Sequence, residues 1–303
     1  MDSSSNGGEV LEEAIRLYIG LNETKWNHHP IVTGGYCCVS PVYGKTERTK
    51  KKNNVFVPAH NAVIQDSGAF CDGPGQRLSF QEALQRQKDH AAQYDYANKI
   101  EYRASYDLLI DEKWEGGVRY KKRWTVDDAE RAVKETIDAA RYISKEDRLS
   151  HVLSAQGVDS SQYLECVLEV VPLMKDRDAL GLGGWCITGL NKRKMLPEFL
   201  DTVKTVIPRV AESVTRIHIW GVMLAEALGP LLWMCDQYDI KLSTDSSGPS
   251  WRPAFGEWGY AEWRDKGYER PPVETRGLHR IWHVAETRLW LNNFRSTQWY
   301  KEP

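Results

Sequence analysis

Ile240-Lys241-Leu242-Ser243-Thr244-Asp245-Ser246-Ser247-Gly248-Pro249-Ser250-Trp251-Arg252-Pro253 is the stretch from which the fold is read. A short apolar run of strand character stops at Asp245. The chain then turns through Ser-Ser-Gly-Pro into a segment that holds Trp251, Phe255, Trp258, Tyr260 and Trp263. A carboxylate at the mouth of a strand, ahead of an aromatic and basic loop, is where a barrel enzyme keeps a nucleophile. Taken alone, Asp-Ser-Ser-Gly is also ordinary turn chemistry. The flanking sequence decides between the two.

Upstream of that strand the chain alternates. The spacing predicts a helix over 223–238, a strand over 216–222 closing on glycine, and a helix over 194–210. Before these come a glycine-rich strand end at 179–185, a helix over 160–175 and a strand at 151–155 that stops at Gln156-Gly157. A helix over 125–143 follows a loop with Gly116-Gly117 and the basic Arg119 to Arg123. A strand at 106–110 ends at Asp111-Glu112, and an amphipathic helix over 78–100 opens with Ser79 and has Glu82 three residues on, a capping box. Residues 62–65 form a short strand ending at Asp66, and 30–43 are strand-like around a Gly-Gly. Apolar residues at 10, 11, 14, 15, 18 and 19 predict an N-terminal helix over 9–21, and a last amphipathic helix covers 277–294.

Strands and helices alternating at this spacing imply parallel strands joined by crossover helices. With seven or eight strand candidates, the expectation is an α/β fold of (β/α)8 barrel type. It carries an N-terminal helix and an elaborated aromatic loop after the Asp245 strand. The eighth strand is not identified. No GxGxxG follows an early strand, which counts against a dinucleotide fold. With no internal repeat and no linker, residues 1–303 read as one domain.

Composition bounds the partners. At 41% hydrophobic and 27% charged residues, the 303-residue chain has the balance of a soluble globular protein. A net charge of −2 means that any nucleic-acid binding has to come from local basic patches. No run approaches a membrane span, and the first residues lack the basic and apolar regions of a signal peptide. The six cysteines, at 37, 38, 71, 166, 186 and 235, include no CxxC pair, so neither a zinc knuckle nor a disulfide framework is indicated. A reducing, cytoplasmic setting is the expectation.

In such a barrel the C-terminal strand ends line the site. Here they are Asp66, Asp111, Gln156, Gly183-Gly184, Trp220 and Asp245. Two carboxylates suit a nucleophile and an acid/base. A third carboxylate, an amide and glycine backbone suit the hydrogen-bonding edge of a purine, while Phe70 and Trp220 can stack on its faces. Each residue alone has an ordinary structural reading: a loop start at Asp111, a turn at Gln156-Gly157, core at Trp220.

The motifs in this order resemble those of the tRNA-guanine transglycosylases, which exchange a guanine base for a 7-deazaguanine. Their Asp-Ser-Gly-Gly-Phe/Tyr-Gln is similar to Asp66-Ser67-Gly68-Ala69-Phe70, their Phe-Asp-Glu to Ile110-Asp111-Glu112, and their Gln-Gly to Gln156-Gly157. Their Gly-Gly-Leu resembles Gly183-Gly184-Trp185, and their Leu-Met-Gly-Val resembles Ile219-Trp220-Gly221-Val222. Their Phe-Asp-Cys-Val-x-Pro-x-Arg resembles Thr244 to Arg252. The resemblance spans about residues 30 to 295. It implies Asp245 as nucleophile on the anomeric carbon and Asp66 as general acid/base. It also implies a base pocket of Phe70, Asp111, Gln156, Gly183, Gly184, Trp185 and Trp220. No cofactor is implied.

The chain departs from that family in ways that bear on the polymer. The tRNA enzymes carry a CxCxxC-plus-His zinc site after the nucleophile, and no cysteine follows Asp245 here. His279 and His283, with Glu286, could touch a metal from one helix face, but no further ligands accompany them, so no metal is expected. These losses fit the DNA-acting relatives that install 7-deazaguanines. The implied partners are DNA (alternatively tRNA), guanine and a 7-deazaguanine base. Lys50, Lys51, Lys52, Lys121, Lys122, Arg123 and Arg252 would contact phosphates, and Trp251 a displaced strand or vacated stack. A zinc-free tRNA transglycosylase, a non-catalytic binding paralogue and a hydrolytic base-excision enzyme are the alternatives.

Overall fold

The computed structural model describes residues 13–20, 35–42, 61–72, 77–108, 112–115, 118–121, 126–188, 190, 193–246 and 276–303. Ten strands are present among them: β1 (Ile15–Gly20), β2 (Tyr36–Val39), β3 (Ala62–Gln65), β4 (Ile100–Ala104), β5 (Glu112–Glu115), β6 (Val118–Lys121), β7 (His151–Ala155), β8 (Ala179–Leu182), β9 (Arg216–Ile219) and β10 (Lys241–Ser246). Eight of these close a barrel in the order β1-β10-β9-β8-β7-β4-β3-β2, and every neighbouring pair is parallel. The other two, β5 and β6, pair antiparallel as a separate hairpin.

Helices cross between the strands. α1 (Phe80–Gln93) links β3 to β4, α2 (Val126–Glu146) precedes β7, and α3 (Ser160–Val170) links β7 to β8. The short α4 (Trp185–Thr188) and α5 (Leu196–Val210) lead to β9, α6 (Ala225–Gln237) leads to β10, and α7 (Arg276–Asn292) packs on β1. Ser79 caps α1 in a reciprocal box with Glu82, a feature worth about 1 kcal/mol. The main core lies between barrel and helices. Leu153, Leu180, Ile217 and Leu242 point outward from their strands against Val167, Val203, Ile207 and Leu231 of the helices. No described helix is long and apolar enough to cross a membrane.

Three expectations are corrected. The N-terminal helix over 9–21 is strand β1 across Ile15–Gly20, and it supplies the barrel's eighth strand. Ile15, Leu17, Tyr18 and Ile19 are all buried, because a barrel strand packs inside on the lumen and outside on a helix. Burial on both faces erases the period of two, and what remained resembled helical spacing.

The strand expected at 106–110 lies earlier, at Ile100–Ala104, and α1 ends at Gln93 rather than near 100. Its charged residues hid it. Glu101 accepts a 2.6 Å hydrogen bond from the Tyr18 hydroxyl, and Arg103 is buried against Asp147 at 2.6 Å and the Gln65 amide oxygen at 2.8 Å. The loop expected after Asp111 is the β5–β6 hairpin.

Candidate active site

The carboxylates at the C-terminal strand ends are held by backbone and by a polar frame beneath them. The Asp66 N–H donates to Val39 O at 2.9 Å, extending the β2–β3 ladder by one residue. Gln87 of α1 donates to both Asp66 O and Ala104 O at 3.1 Å, tying the ends of β3 and β4 together. Arg86 donates to Ser67 O at 2.6 Å and pairs with Asp72 at 2.9 Å. Gly68 turns with φ +77°, and a Cβ there would stand 2.8 Å from Arg86 Nη2 and Val42 Cγ1. The turn therefore requires glycine.

Asp66 is raised above the ordinary carboxylate range by burial and then by the charge of Asp245. The nearby Ser40 hydroxyl, which makes no well-formed hydrogen bond among the described residues, and the Gly68 and Ser67 N–H groups act in the opposite direction. Two like-charged carboxylates sharing a site do not ionise equally, which is how a single fold keeps one as an acid and the other as an anion. Cys38 lies within electrostatic reach of both, and burial followed by these two charges raises its thiol further.

Asp245 sits on β10 with its side chain 19% exposed. Its Oδ1 accepts the Gly221 N–H at 2.8 Å, and His218 Nε2 lies 3.3 Å from the same oxygen. Residues 216, 218 and 220 alternate toward the barrel interior along β9. Trp220 crosses the barrel, donating from Nε1 to Ser154 Oγ at 3.1 Å. It passes over Gly181, where a Cβ would stand only 2.8 Å from Nε1.

A third carboxylate, which the sequence reading did not single out, stands within electrostatic reach of Asp66. Asp107 follows β4, and burial, with the charge of Asp66 adding to it against Arg77, pushes it up to about 6. Its backbone carbonyl accepts from Arg77 at 2.7 Å, and that guanidinium lies over the Tyr106 ring at 4.4 Å. A Cβ on Gly183 would stand 3.5 Å from Asp107 Oδ2, so the glycine leaves the face of this carboxylate open. Asp111, the expected base reader, lies outside the described residues.

The other expected base-pocket residues divide. Phe70 is 42% exposed on the turn after Asp66. Gln156 is buried, with its amide nitrogen donating to Leu108 O at 2.6 Å and Thr136 Oγ1 at 2.7 Å. Its Oε1 has no hydrogen-bond partner among the described residues, so this residue offers an acceptor only. The Gly183 N–H donates to Ala155 O at 2.9 Å, and its carbonyl accepts from Tyr163 at 3.2 Å. Gly184 has φ +84°. The Trp185 indole turns into the core, stacked on Tyr163 at 5.6 Å and edge-on to Phe199 at 5.1 Å, so its ring adds nothing to the aromatic lining.

Asp107 and His218 are the two residues that the sequence reading missed. The first was masked by the displaced strand boundary. The second carried a visible signal, a polar residue at a lumen-facing position between two isoleucines. Of the proposed phosphate contacts, Lys50, Lys51, Lys52, Lys122, Arg123 and Arg252 lie outside the described residues, as does Trp251. Lys121 ends β6. His283 is buried in α7.

The opposite end of the barrel opens on a cavity of about 640 Å³ lined by Arg16, Tyr18, Tyr36, Tyr102, Arg216 and Ser243, among others. None of the three carboxylates borders it. Compared with known proteins, the chain matches no family model and no curated protein sequence.

Proposed function

We propose that the protein is a DNA-guanine transglycosylase that exchanges guanine in DNA for a 7-deazaguanine base through a covalent Asp245 intermediate. The observation that carries this reading is the carboxylate pair at the ends of β3 and β10, with Asp66 raised by burial and by the charge of Asp245. Such a pair supplies a proton carrier and an anionic nucleophile in one cleft. A third carboxylate at Asp107, the Gln156 Oε1, which has no partner among the described residues, and the Trp220 face supply the kinds of group that read and stack on a purine.

In the forward step an Asp245 oxygen forms a bond to C1′ as the C1′–N9 bond breaks. The bonding pair leaves with guanine, and Asp66 gives the leaving base a proton. In the return step the incoming 7-deazaguanine gives its proton to Asp66 and attacks C1′, and Asp245 is released as carboxylate. Two displacements at C1′ retain its configuration and give ping-pong kinetics. A duplex base has to be extruded to reach such a cleft.

Incubation with guanine-containing duplex DNA, with tRNA and with 7-cyano-7-deazaguanine, followed by nucleoside mass spectrometry, tests the reading. A mass-shifted deoxyguanosine in the DNA that is lost in Asp245→Ala supports it. Modified tRNA beside untouched DNA overturns the polymer and keeps the chemistry. Abasic sites without exchange point to hydrolysis, and no reaction with any polymer overturns the enzyme.

A further inference from the structure

His218 is fully buried inside the barrel, walled by the edge of Trp220 at 4.4 Å and by Tyr18 at 6.0 Å. Both ring nitrogens have a polar partner on β10: Nδ1 lies 3.0 Å from Ser243 Oγ, and Nε2 lies 3.3 Å from Asp245 Oδ1. Asp245 Oδ1 also accepts the Gly221 N–H at 2.8 Å, whereas Oδ2 has no donor among the described residues. A carboxylate with one oxygen engaged by the Gly221 N–H and in contact with the His218 ring is restrained in rotation and leaves the other oxygen to react.

We propose that His218 is a positioning residue for the nucleophile, in the Nε2–H tautomer. Nε2–H donates to Asp245 Oδ1, Nδ1 accepts the Ser243 hydroxyl proton, and Oδ2 is the oxygen that bonds to C1′. The tautomer follows from the distances. The Ser243 hydroxyl has one proton and two acceptors in reach, Nδ1 at 3.0 Å and Ile217 O at 3.3 Å. The shorter contact takes it, which leaves Nδ1 bare and the proton on Nε2, facing the carboxylate. A carboxylate opposite a bare Nε2 would set two acceptors 3.3 Å apart with no proton between them, an arrangement that buried polar groups avoid.

The role assigned to Oδ2 rests on the transglycosylase reading, whereas the tautomer does not. Three variants separate positioning from packing. Gln reaches with its amide about as far as Nε2, Asn only about as far as Nδ1, and Phe fills the space with no donor. The expected result is a kcat for guanine exchange about 100-fold lower in His218→Phe and His218→Asn, the scale of a misplaced reacting group. KM for DNA and for the free base stays within about twofold, because uniform binding is untouched. His218→Gln recovers most of kcat. Equal rates in the Gln and Asn variants, or a His218→Phe enzyme within about twofold of wild type, overturn the proposal.

Nitrogen-15 NMR of the histidine rings in the wild-type protein and in Asp245→Ala gives a readout independent of activity. A ring in the Nε2–H tautomer whose Nε2 signal moves in Asp245→Ala supports the contact, and an Nδ1–H ring overturns it. If the wild type exchanges no base while the ring is Nε2–H, the transglycosylase reading fails and the His218–Asp245 contact stands.

Discussion

Asp107 and Asp66 leave the ends of the neighbouring strands β4 and β3, and the charge of Asp66 adds to burial in pushing the Asp107 carboxyl up to about 6. An acid whose folded value exceeds its unfolded value binds a proton more readily in the native state. Its contribution to stability is therefore full at low pH and is lost as pH rises from the unfolded value of 3.8 through about 6. A gap of that size corresponds to about 3 kcal/mol. Asp107→Asn keeps the shape and removes the ionisation. It is expected to raise the urea midpoint relative to wild type at pH 8, to lose that advantage at pH 4, and to slow base exchange. Midpoints that coincide at every pH would refute the raised carboxyl at Asp107.

His151, at the other end of the barrel, gives a pH dependence of the same sign in a higher pH window. It is fully buried at the start of β7, with Nε2 3.4 Å from Asp147 Oδ2 and Nδ1 3.7 Å from Asp178 Oδ1. Burial alone would lower its pKa, but the hydrogen bond to Asp147 and the charges of Asp178 and Asp147 outweigh it and raise the imidazole above 6.5. Arg103, 2.6 Å from Asp147, and Lys175, donating to Asp147 O at 3.1 Å, are the cations packed around it. A raised histidine stabilises fully below its unfolded value near 6.5, and this is lost as pH rises through the folded value. The wild-type urea midpoint is expected to fall above pH 6.5, and His151→Gln to show no such decline. Parallel profiles for the two proteins would refute the assignment.

How far the fold was legible depended on which residues the barrel made polar or buried. β7, β8 and β10 read as strands because their apolar runs end at glycine, glutamine or aspartate. β4 did not, because Glu101 and Arg103 are satisfied only by partners far along the chain, at Tyr18, Gln65 and Asp147. β1 did not, because a strand buried on both faces has no alternation to find. The site followed the same rule. Asp66 and Asp245 were read from strand ends that were correct, whereas Asp107 was lost with the misplaced end of β4. Trp185 looked like part of the pocket because its backbone neighbours are glycines, while its ring direction is set by Tyr163 and Phe199. No local pattern encodes that direction.

Gly181 and Trp220 carry the last prediction. A Cβ on Gly181 would stand 2.8 Å from Trp220 Nε1, 2.9 Å from Val152 Cγ1 and 3.2 Å from the Ser154 Cα. Neither the neighbouring strand nor a valine locked in the barrel can give way, so the indole has to move, and its 3.1 Å hydrogen bond to Ser154 goes with it. Overpacking of this kind costs about 1–3 kcal/mol. Gly181→Ala is expected to lower Tm and, if Trp220 stacks on the exchanged base, to raise KM for that base more than it lowers kcat. Trp220→Phe shortens the ring and removes Nε1, so the double variant Gly181→Ala/Trp220→Phe should be more stable than the two single effects summed, by about 1 kcal/mol or more. Thermal unfolding of the four proteins in this cycle gives the coupling directly. Strict additivity would mean that the glycine is not there to make room for the tryptophan.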